Sequence, residues 1–536
     1  MPHPQNEITL NPEDIPSPVK ALGTKLLSYV LDLPENEVKV LLETGGLITP
    51  EHVQVIEALK DFTNEIIEQR KDNQVIEDND LMRMSFALTK DNHHIFNNIR
   101  KQIKNTTNGK RYSDPLMQVI SKMCIECIPI LLLPKKRSNL RFMLDIPFFT
   151  GRIFDDFCDA LMSDPEVSEI FPKIEGYKNN SYRITTSTGR SNSLQIITFY
   201  KLLIQNSYTL MRMRNQIGIT DFLNCAEENL SMIRKSIRGE KIKVPIILLF
   251  KGAWIPPKIK IKALNGTITS LHGGIEDIIY AEGLPPNFSD QKNAGFIYIA
   301  EVDYKISISK TMPLDPFDGW PDGLLYDSEK IEKIARNISF SCLMAIDRTE
   351  PISIDKISSF IFDPLAYGNS TSWRTNQNNI CEAIEMTEEE GESIIKWCNT
   401  ISEVSDAKIL LAKRRLQSAL TERINPIDGL IDCVIGLENL FGQRSEIVFS
   451  VAIAVSKLLE KDFSRRKKIF SDVKKIYGLR SSIIHGGEKT LNHDEMMEKR
   501  NQVAAYLIQC FKKLYSEHKE LLQLSSTERS KELALL

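Results

Sequence analysis

The strongest constraint on the fold is a succession of helical patterns that runs from Thr387 to about Leu522. A capping box opens the succession, with Thr387 as the cap and Glu390 three residues later. Short connections between the segments predict an all-α helical bundle over residues 387–536, with a frayed end after Leu522. The five predicted helices of this bundle are Lys408–Glu422, Asp428–Phe441, Glu446–Leu459, Phe463–Tyr477 and Asp494–Glu520.

The first half of the chain also carries helical patterns, but it carries no basic recognition helix of a helix-turn-helix protein. We predict a mostly helical N-terminal region over residues 1–135, which serves packing or partner binding, and a mixed, mostly helical region over residues 136–240. The predicted helices are Ala21–Leu31, Glu35–Leu42, Glu51–Arg70 after a favourable Pro50, and Leu194–Arg214.

Between Lys243 and about Ala366 the apolar period shifts toward two, and proline and glycine clusters punctuate the pattern. This pattern predicts a β-rich domain over residues 241–386. The chain as a whole is therefore expected to be a multidomain α+β protein. The predicted strands are Val244–Phe250, Phe296–Ser309, Ile338–Ile346 and Ile357–Phe362.

Net charge and apolar run length narrow the classes of function. The net charge is −3, so a nucleic-acid site would have to be local. No continuous apolar run reaches the ~18–20 residues that cross a bilayer, and the longest, Ile128–Pro134, would suit a buried strand. The N-terminus lacks signal-peptide features, and nine scattered cysteines fit a reducing compartment. We expect a cytoplasmic protein with no membrane partner.

A second group of candidate ligands precedes the middle of the chain. His93 and His94 are followed by Cys124 and Cys127, which invites a zinc interpretation. The two histidines are adjacent rather than spaced for a tetrahedral site, and no second Cys-x-x-Cys is present. Core packing of the cysteines is the favoured interpretation, and we predict no metal and no cofactor.

The stretch from Tyr477 to Gly487 carries the residues best suited to chemistry. Arg480 offers a planar fork of donors for phosphate, and His485 moves protons near neutral pH. On a regular helix, five residues separate their directions by about 140°. Either the helix loosens at Gly486–Gly487, or a second copy of the chain completes the pair.

The position of His485 near a helix end bears on its role. Gly486 is a suitable residue to follow the helix, which would place His485 in the last turn. There the helix dipole favours the imidazolium by roughly 0.3–1 kcal/mol, as suits a general acid. The alternative is a helix-end histidine bonded to a carbonyl and an arginine in a surface ion pair.

Two stretches of the predicted bundle carry a family resemblance. The first is Asn425–Phe441, which ends in Leu437-Glu-Asn-Leu-Phe, and the second is Lys474–Gly486, with its tyrosine, its arginine and its His-Gly pair. Together they resemble the Apea-like branch of the HEPN superfamily over about residues 400–520. Many family members carry Asn, Asp or His after the arginine, where this chain has Ser481.

The resemblance implies a bundle that forms a homodimer or a higher homo-oligomer, with a metal-independent endoribonuclease site at the seam. It implies a toxin, abortive-infection or other defence system, and RNA as substrate. Arg480 and His485 would be catalytic, with Ser481, Glu438 and Tyr477 in support. Tyr477 could equally be a core residue, and Glu438 a helix-face carboxylate. The residues expected to bind RNA, or else to form a solvated helix face, are Arg465, Arg466, Lys467, Lys468, Lys474 and Lys475.

The competing hypothesis is a non-catalytic HEPN-like module for dimerisation or nucleotide binding in a sensor or scaffold protein. With a catalytic bundle, the regions before residue 387 would detect a trigger, of phage or cellular origin, and restrain or align the bundle. With a non-catalytic bundle, residues 1–400 would carry the function as a sensor or scaffold. This division of labour rests on domain order and analogy.

Overall fold

The chain is a mixed α+β protein whose C-terminal region is helical. The computed structural model describes residues 7–68, 76–90, 93–103, 111–134, 152–172, 180–216, 218–256, 258–271, 274–275, 278, 295–310, 319–325, 327–346, 354–366, 370–373, 384–405, 407–443, 445–485 and 491–535.

The helices before residue 387 belong mostly to the N-terminal part. They are α1 (Ser17–Lys20), α2 (Gly23–Leu31), α3 (Glu35–Thr44), α4 (Pro50–Glu68), α5 (Asp78–Ser85), α6 (Ile95–Arg100), α7 (Pro115–Leu132), α8 (Arg152–Ser163), α9 (Ile196–Met213), α10 (Ile219–Ile237) and α11 (Ser328–Ala345). The predicted helices at 21–31, 35–42, 51–70 and 194–214 are confirmed, to within two residues at each end.

The strands form four sheets. They are β1 (Ile8–Leu10), β2 (Gly46–Ile48), β3 (Arg183–Thr186), β4 (Arg190–Asn192), β5 (Ile242–Lys251), β6 (Ala253–Trp254), β7 (Lys260–Ala263), β8 (Gly266–Ser270), β9 (Gly295–Tyr304), β10 (Ile306–Ser309), β11 (Asp355–Ile361), β12 (Ser370–Trp373) and β13 (Ile384–Glu385). The largest sheet is antiparallel, in the order β12-β11-β5-β9-β8-β7. The smaller ones are β1-β2, β10-β3-β4 and the parallel pair β13-β6.

The predicted strand at Ile338–Ile346 is wrong, because this segment is the second half of α11. Ile338, Phe340 and Cys342 alternate with serines, which imitates a strand. The alternation misleads because α11 is buried on more than one side, so the serines are buried as well. The strands predicted at 244–250 and 357–362 are confirmed. The strand predicted at 296–309 is divided at Lys305 into β9 and β10, which belong to different sheets.

The apolar run Ile128–Pro134 falls largely in α7 and is no strand. Within the described ranges, α7 is the one helix long and apolar enough to cross a membrane. It does not appear in the sequence as a continuous apolar run. Two thirds of it (67%) is buried inside the fold, as in the core helix of a globular protein. Cys124 and Cys127 are fully buried there, which supports core packing for both thiols.

His93 and His94 contact Glu126 of α7 rather than the cysteines. The His93 Nδ1 lies 2.8 Å from Glu126 Oε1, and the His94 backbone N–H donates to Glu126 Oε2 at 2.8 Å. Among the described residues, no group of three or more His, Cys, Asp or Glu side chains is arranged to hold a metal. The two histidines thus fix the start of α6 against α7.

Two hydrophobic clusters organise the packing. The larger extends from Leu10 to Cys398 and includes the main sheet, and the smaller extends from Phe340 to Leu533. Helix α11 contributes to both clusters, and so does α12 (Glu388–Ser402), whose capping box joins Thr387 and Glu390 as predicted. Packing therefore continues across residue 387, where the sequence placed a boundary.

The C-terminal helices are α13 (Leu410–Thr421), α14 (Pro426–Phe441), α15 (Ile447–Leu459), α16 (Phe463–Ile484), α17 (His493–Glu517) and α18 (Ser526–Leu535). They confirm the five predicted helices and extend the fourth by two turns, from Tyr477 to Ile484. The expected frayed end is wrong, because α18 buries Arg529, Ser530 and Leu533 against the bundle.

Burial of His94 predicts an acid-sensitive stability. His94 is fully buried, stacks on Phe96 and caps α6, and burial lowers the pKa of its imidazole from 6.5 to about 4. Between these two pH values His94 is protonated in the unfolded chain and neutral in the folded chain. The free energy of unfolding should therefore fall as the pH drops from 6.5 to 4. The loss attributable to His94 should reach about 3 kcal/mol.

Urea denaturation at several pH values would measure this loss. His94→Asn keeps a capping acceptor and does not titrate. The part of the pH dependence that His94 causes should therefore be absent from the stability of this variant. His493→Asn replaces an exposed histidine and should retain it. Identical acid slopes for the wild type and His94→Asn would contradict the prediction.

Candidate functional site

Helix α16 carries the candidate site and is mostly exposed. Asp462 caps its start by accepting from the Arg465 backbone N–H at 2.9 Å. Over its 22 residues only Val473, Ile476 and Tyr477 are buried. A helix held by so narrow an apolar face presents most of its circumference to solvent or to a partner molecule.

Arg480 lies on the inward side of α16, toward α14. Its guanidinium Nη1 is 3.8 Å from Oε1 of Glu438, and its side chain is 30% exposed. Its buried Nε has no hydrogen-bond partner among the described residues. The guanidinium is thus oriented by one carboxylate at the limit of ion-pair distance, with donors left for another acceptor.

His485 ends the same helix and is exposed. Its backbone N–H donates to the Ser481 carbonyl at 3.1 Å, which continues the helical hydrogen-bond pattern up to this residue. Helical geometry therefore places His485 about 140° around the axis from Arg480 and roughly 7.5 Å farther along it. The predicted role of Gly486–Gly487 lies outside the described residues.

The supporting residues divide into two kinds. Tyr477 is buried and Glu438 is partly buried, whereas Ser481 is exposed beside His485. Tyr477 is 5% exposed, which supports its interpretation as a core residue. Burial raises the pKa of its hydroxyl, the nearby Glu438 carboxylate raises it further, and Arg480 lowers it. Tyr477 therefore stays neutral and separates the ion pair from the bundle core.

The six basic residues expected to bind RNA do not share one face. Lys467 and Lys474 precede His485 by 18 and 11 residues, close to whole numbers of helical turns, and form with it one exposed stripe. Lys468 and Lys475 are exposed about 100° farther around the axis.

The two arginines of the group lie near Glu460. Arg466 donates to the Glu460 carbonyl at 3.2 Å and so helps to hold the α15–α16 connection. Arg465 lies 3.8 Å from the Glu460 carboxylate and is 77% exposed.

Sequence reasoning missed two aromatic residues beside the stripe. Phe449 of α15 is 54% exposed and meets Phe470 of α16 edge to face at 5.8 Å. The Lys474 ammonium lies 5.7 Å from the centre of the Phe470 ring. A seven-residue repeat, Phe463, Phe470, Tyr477 and Ile484, was the sequence signal that could have revealed this apolar edge.

Comparison with known proteins adds no relative. No protein-family model, no curated protein and no solved structure matches the chain.

Proposed function

We propose that the chain is a metal-independent endoribonuclease whose site is completed by two copies of the C-terminal bundle. One observation carries the proposal: a single exposed helix holds Arg480, 30% exposed and oriented by Glu438, and ends five residues later at the exposed His485. An arginine and a histidine at one phosphodiester can cleave RNA without a metal.

The divergence of the two side chains supports a shared site. Arg480 faces α14, and His485 points about 140° away, so one chain does not aim both at the same phosphate. A second copy related by a twofold axis would bring its His485 to the Arg480 of the first, and the reverse. The exposed apolar residues Phe449, Phe463 and Ile484 flank the helix and suit such a contact.

The proposed chemistry follows from the two groups. The ribose 2′-oxygen loses its proton and bonds to the adjacent phosphorus, and the bond from phosphorus to the 5′-oxygen breaks. His485 removes the proton from the 2′-oxygen or donates one to the departing 5′-oxygen, and water carries out the other of these two transfers. Arg480 binds the phosphate oxygens as negative charge develops. The products carry a 2′,3′-cyclic phosphate and a 5′-hydroxyl. DNA resists cleavage because it lacks the 2′-hydroxyl.

Incubation with total RNA tests this chemistry. The purified chain should produce fragments with cyclic phosphate and 5′-hydroxyl ends, at the same rate with and without EDTA. Fragments with other ends, cleavage that EDTA abolishes, or intact RNA after prolonged incubation at high enzyme concentration would each contradict the proposal.

The proposed role of residues 1–386 is detection of a trigger, consistent with the α11 and α12 packing that joins both clusters.

The stripe predicts an asymmetry between two pairs of lysines. Lys467→Ala with Lys474→Ala should lower the rate of RNA cleavage about 3- to 10-fold at low salt and weaken the salt dependence of binding, because phosphate contacts are lost. Lys468→Ala with Lys475→Ala makes the same charge change on the other exposed face and should alter the rate less than about twofold. Initial rates on a labelled RNA between 50 and 200 mM salt measure both. Equal effects of the two double variants would contradict the proposed RNA path.

A further inference from the structure

A cavity of about 720 Å³ lies among α2, α7, α9 and α10, far in sequence from the candidate active site. Its volume falls within the range of sites that enclose small molecules. Leu131 and Leu132 of α7 and Met211 of α9 contribute apolar walls. Tyr29, Tyr208 and Phe222 add aromatic rings, the last two in edge-to-face contact at 6.3 Å.

Arg100 lines this cavity and carries an unused donor. Its side chain is 7% exposed, and its Nη2 donates to the Asp32 carboxylate. Its guanidinium carbon lies 4.2 Å from the centre of the Tyr29 ring. The buried Nε has no hydrogen-bond partner among the described residues. A buried unsatisfied N–H costs about 1–3 kcal/mol, and a rotation of the guanidinium toward an acceptor in the cavity would relieve that cost.

Two helix N-termini meet at the same cavity and add to its positive potential. Gly23 opens α2, Gly218 precedes α10, and both residues line the cavity, so the positive ends of two helix dipoles lie beside it. The α10 end is partly offset, since Asp221 accepts from the Gly218 N–H at 3.3 Å.

The charged side chains of the lining sum to a positive value. Lys25, Arg100 and Arg212 outnumber Asp32 and Glu35 among them. Both carboxylates are engaged: Asp32 accepts from Arg100, and Glu35 accepts from the Thr24 hydroxyl at 2.8 Å. Three cations against two carboxylates leave the lining with a formal charge of +1, the sign that attracts an anion.

We propose that this cavity binds a small anionic molecule with a flat aromatic body, whose phosphate or carboxylate group is held at Arg100. The aromatic body packs between the apolar walls, and the head group accepts from the Arg100 guanidinium. Through Arg100 the ligand would contact a buried network, because the Tyr29 hydroxyl donates to Asn97 at 2.7 Å and the Asn97 amide donates to Glu126 at 2.9 Å. Binding orders the packing of α2, α6 and α7 and is independent of the proposed ribonuclease activity.

Three probes of one shape test the proposal on the full chain: 1-naphthyl phosphate, 1-naphthoate and the neutral 1-naphthol. In isothermal titration calorimetry, the anion that binds more tightly should have a dissociation constant at least tenfold lower than that of 1-naphthol. The two anions distinguish a phosphate site from a carboxylate site. Absence of heat for all three, or equal affinity for 1-naphthol and both anions, would overturn the proposal.

Variants locate the binding. Arg100→Met should erase the preference for the anion, whereas Arg83→Met, which replaces an exposed arginine of α5 outside the lining, should retain it. Should Arg100→Met fail to fold, two other variants decide. Lys25→Met changes an exposed residue at the cavity and should weaken anion binding several-fold, and Leu132→Trp should block all three probes by filling the space. Unchanged affinities in both variants would refute the assignment to this cavity.

Discussion

Replacing His485 with alanine is expected to reduce RNA cleavage by about 10²- to 10⁴-fold, the range that a positioned proton donor or acceptor contributes. The side chain is exposed at the end of α16 and makes no described side-chain contact, so its removal should leave the fold and its stability unchanged. Single-turnover cleavage of a labelled RNA measures the effect, and circular dichroism verifies the fold.

The chain supplies a matched control for this substitution. His493 is also exposed, lies at the start of α17 and has no proposed role, so His493→Ala should cleave as the wild type does. Cleavage by His485→Ala at the wild-type rate would remove His485 from the mechanism.

A site shared by two copies of the chain also predicts how two inactive variants behave when they are combined. Arg480→Ala and His485→Ala should each be inactive alone. Coexpressed, they should recover up to about a quarter of the wild-type rate, because about half of randomly mixed dimers are mixed and each would hold one of two intact sites. No recovery in verified mixed dimers would contradict a site with one residue from each copy. It would leave open a site that uses all four residues.

The elements predicted best from sequence are those with one buried face. Helix α14 repeats apolar residues at Leu430, Val434, Leu437 and Phe441, and the structure buries all four. Its position against α13 is fixed by Asp432, a buried carboxylate that accepts from Arg415 at 2.6 Å and Arg423 at 2.7 Å. Nothing local in the sequence indicates that bond, because the three residues meet only after α13 and α14 pack.

The errors arise where an element is buried on several sides. The second half of α11 and the end of α7 have lost the polar face that marks a helix, so periodicity could not identify them. At the candidate site, the spacing of Arg480 and His485 did predict their divergence. It did not predict that Arg465 and Arg466 would bind Glu460, since that depends on the α15–α16 turn.

Replacing Arg529 with alanine is expected to destabilise the C-terminal bundle by about 3–5 kcal/mol, since three charge-assisted hydrogen bonds are lost and a buried space opens. The side chain is fully buried, and its guanidinium donates to the carbonyls of Leu521 at 2.8 Å, Leu440 at 2.6 Å and Leu524 at 2.7 Å. Burial lowers the pKa of Arg529 to about 10, so the guanidinium stays charged at neutral pH and its bonds to the three carbonyls are charge-assisted.

The position of Arg529 extends its effect to the candidate site. Leu440 lies two residues after Glu438, at the C-terminal end of α14, where a cation also offsets the negative end of the helix dipole. Loss of this bond should loosen the last turn of α14 and with it the carboxylate that orients Arg480. We therefore expect Arg529→Ala to slow RNA cleavage under conditions in which the chain is still folded.

Urea denaturation and hydrogen exchange measure the two effects separately. Arg529→Ala should lower the unfolding midpoint and speed exchange in peptides from α14 and α18, whereas Arg529→Lys should restore part of the loss, because an ammonium cannot reach all three carbonyls. Lys531→Ala removes an exposed charge two residues away and should change stability by less than about 0.5 kcal/mol. If Arg529→Ala is as stable as Lys531→Ala, α18 does not hold α14, and any loss of cleavage must have another origin.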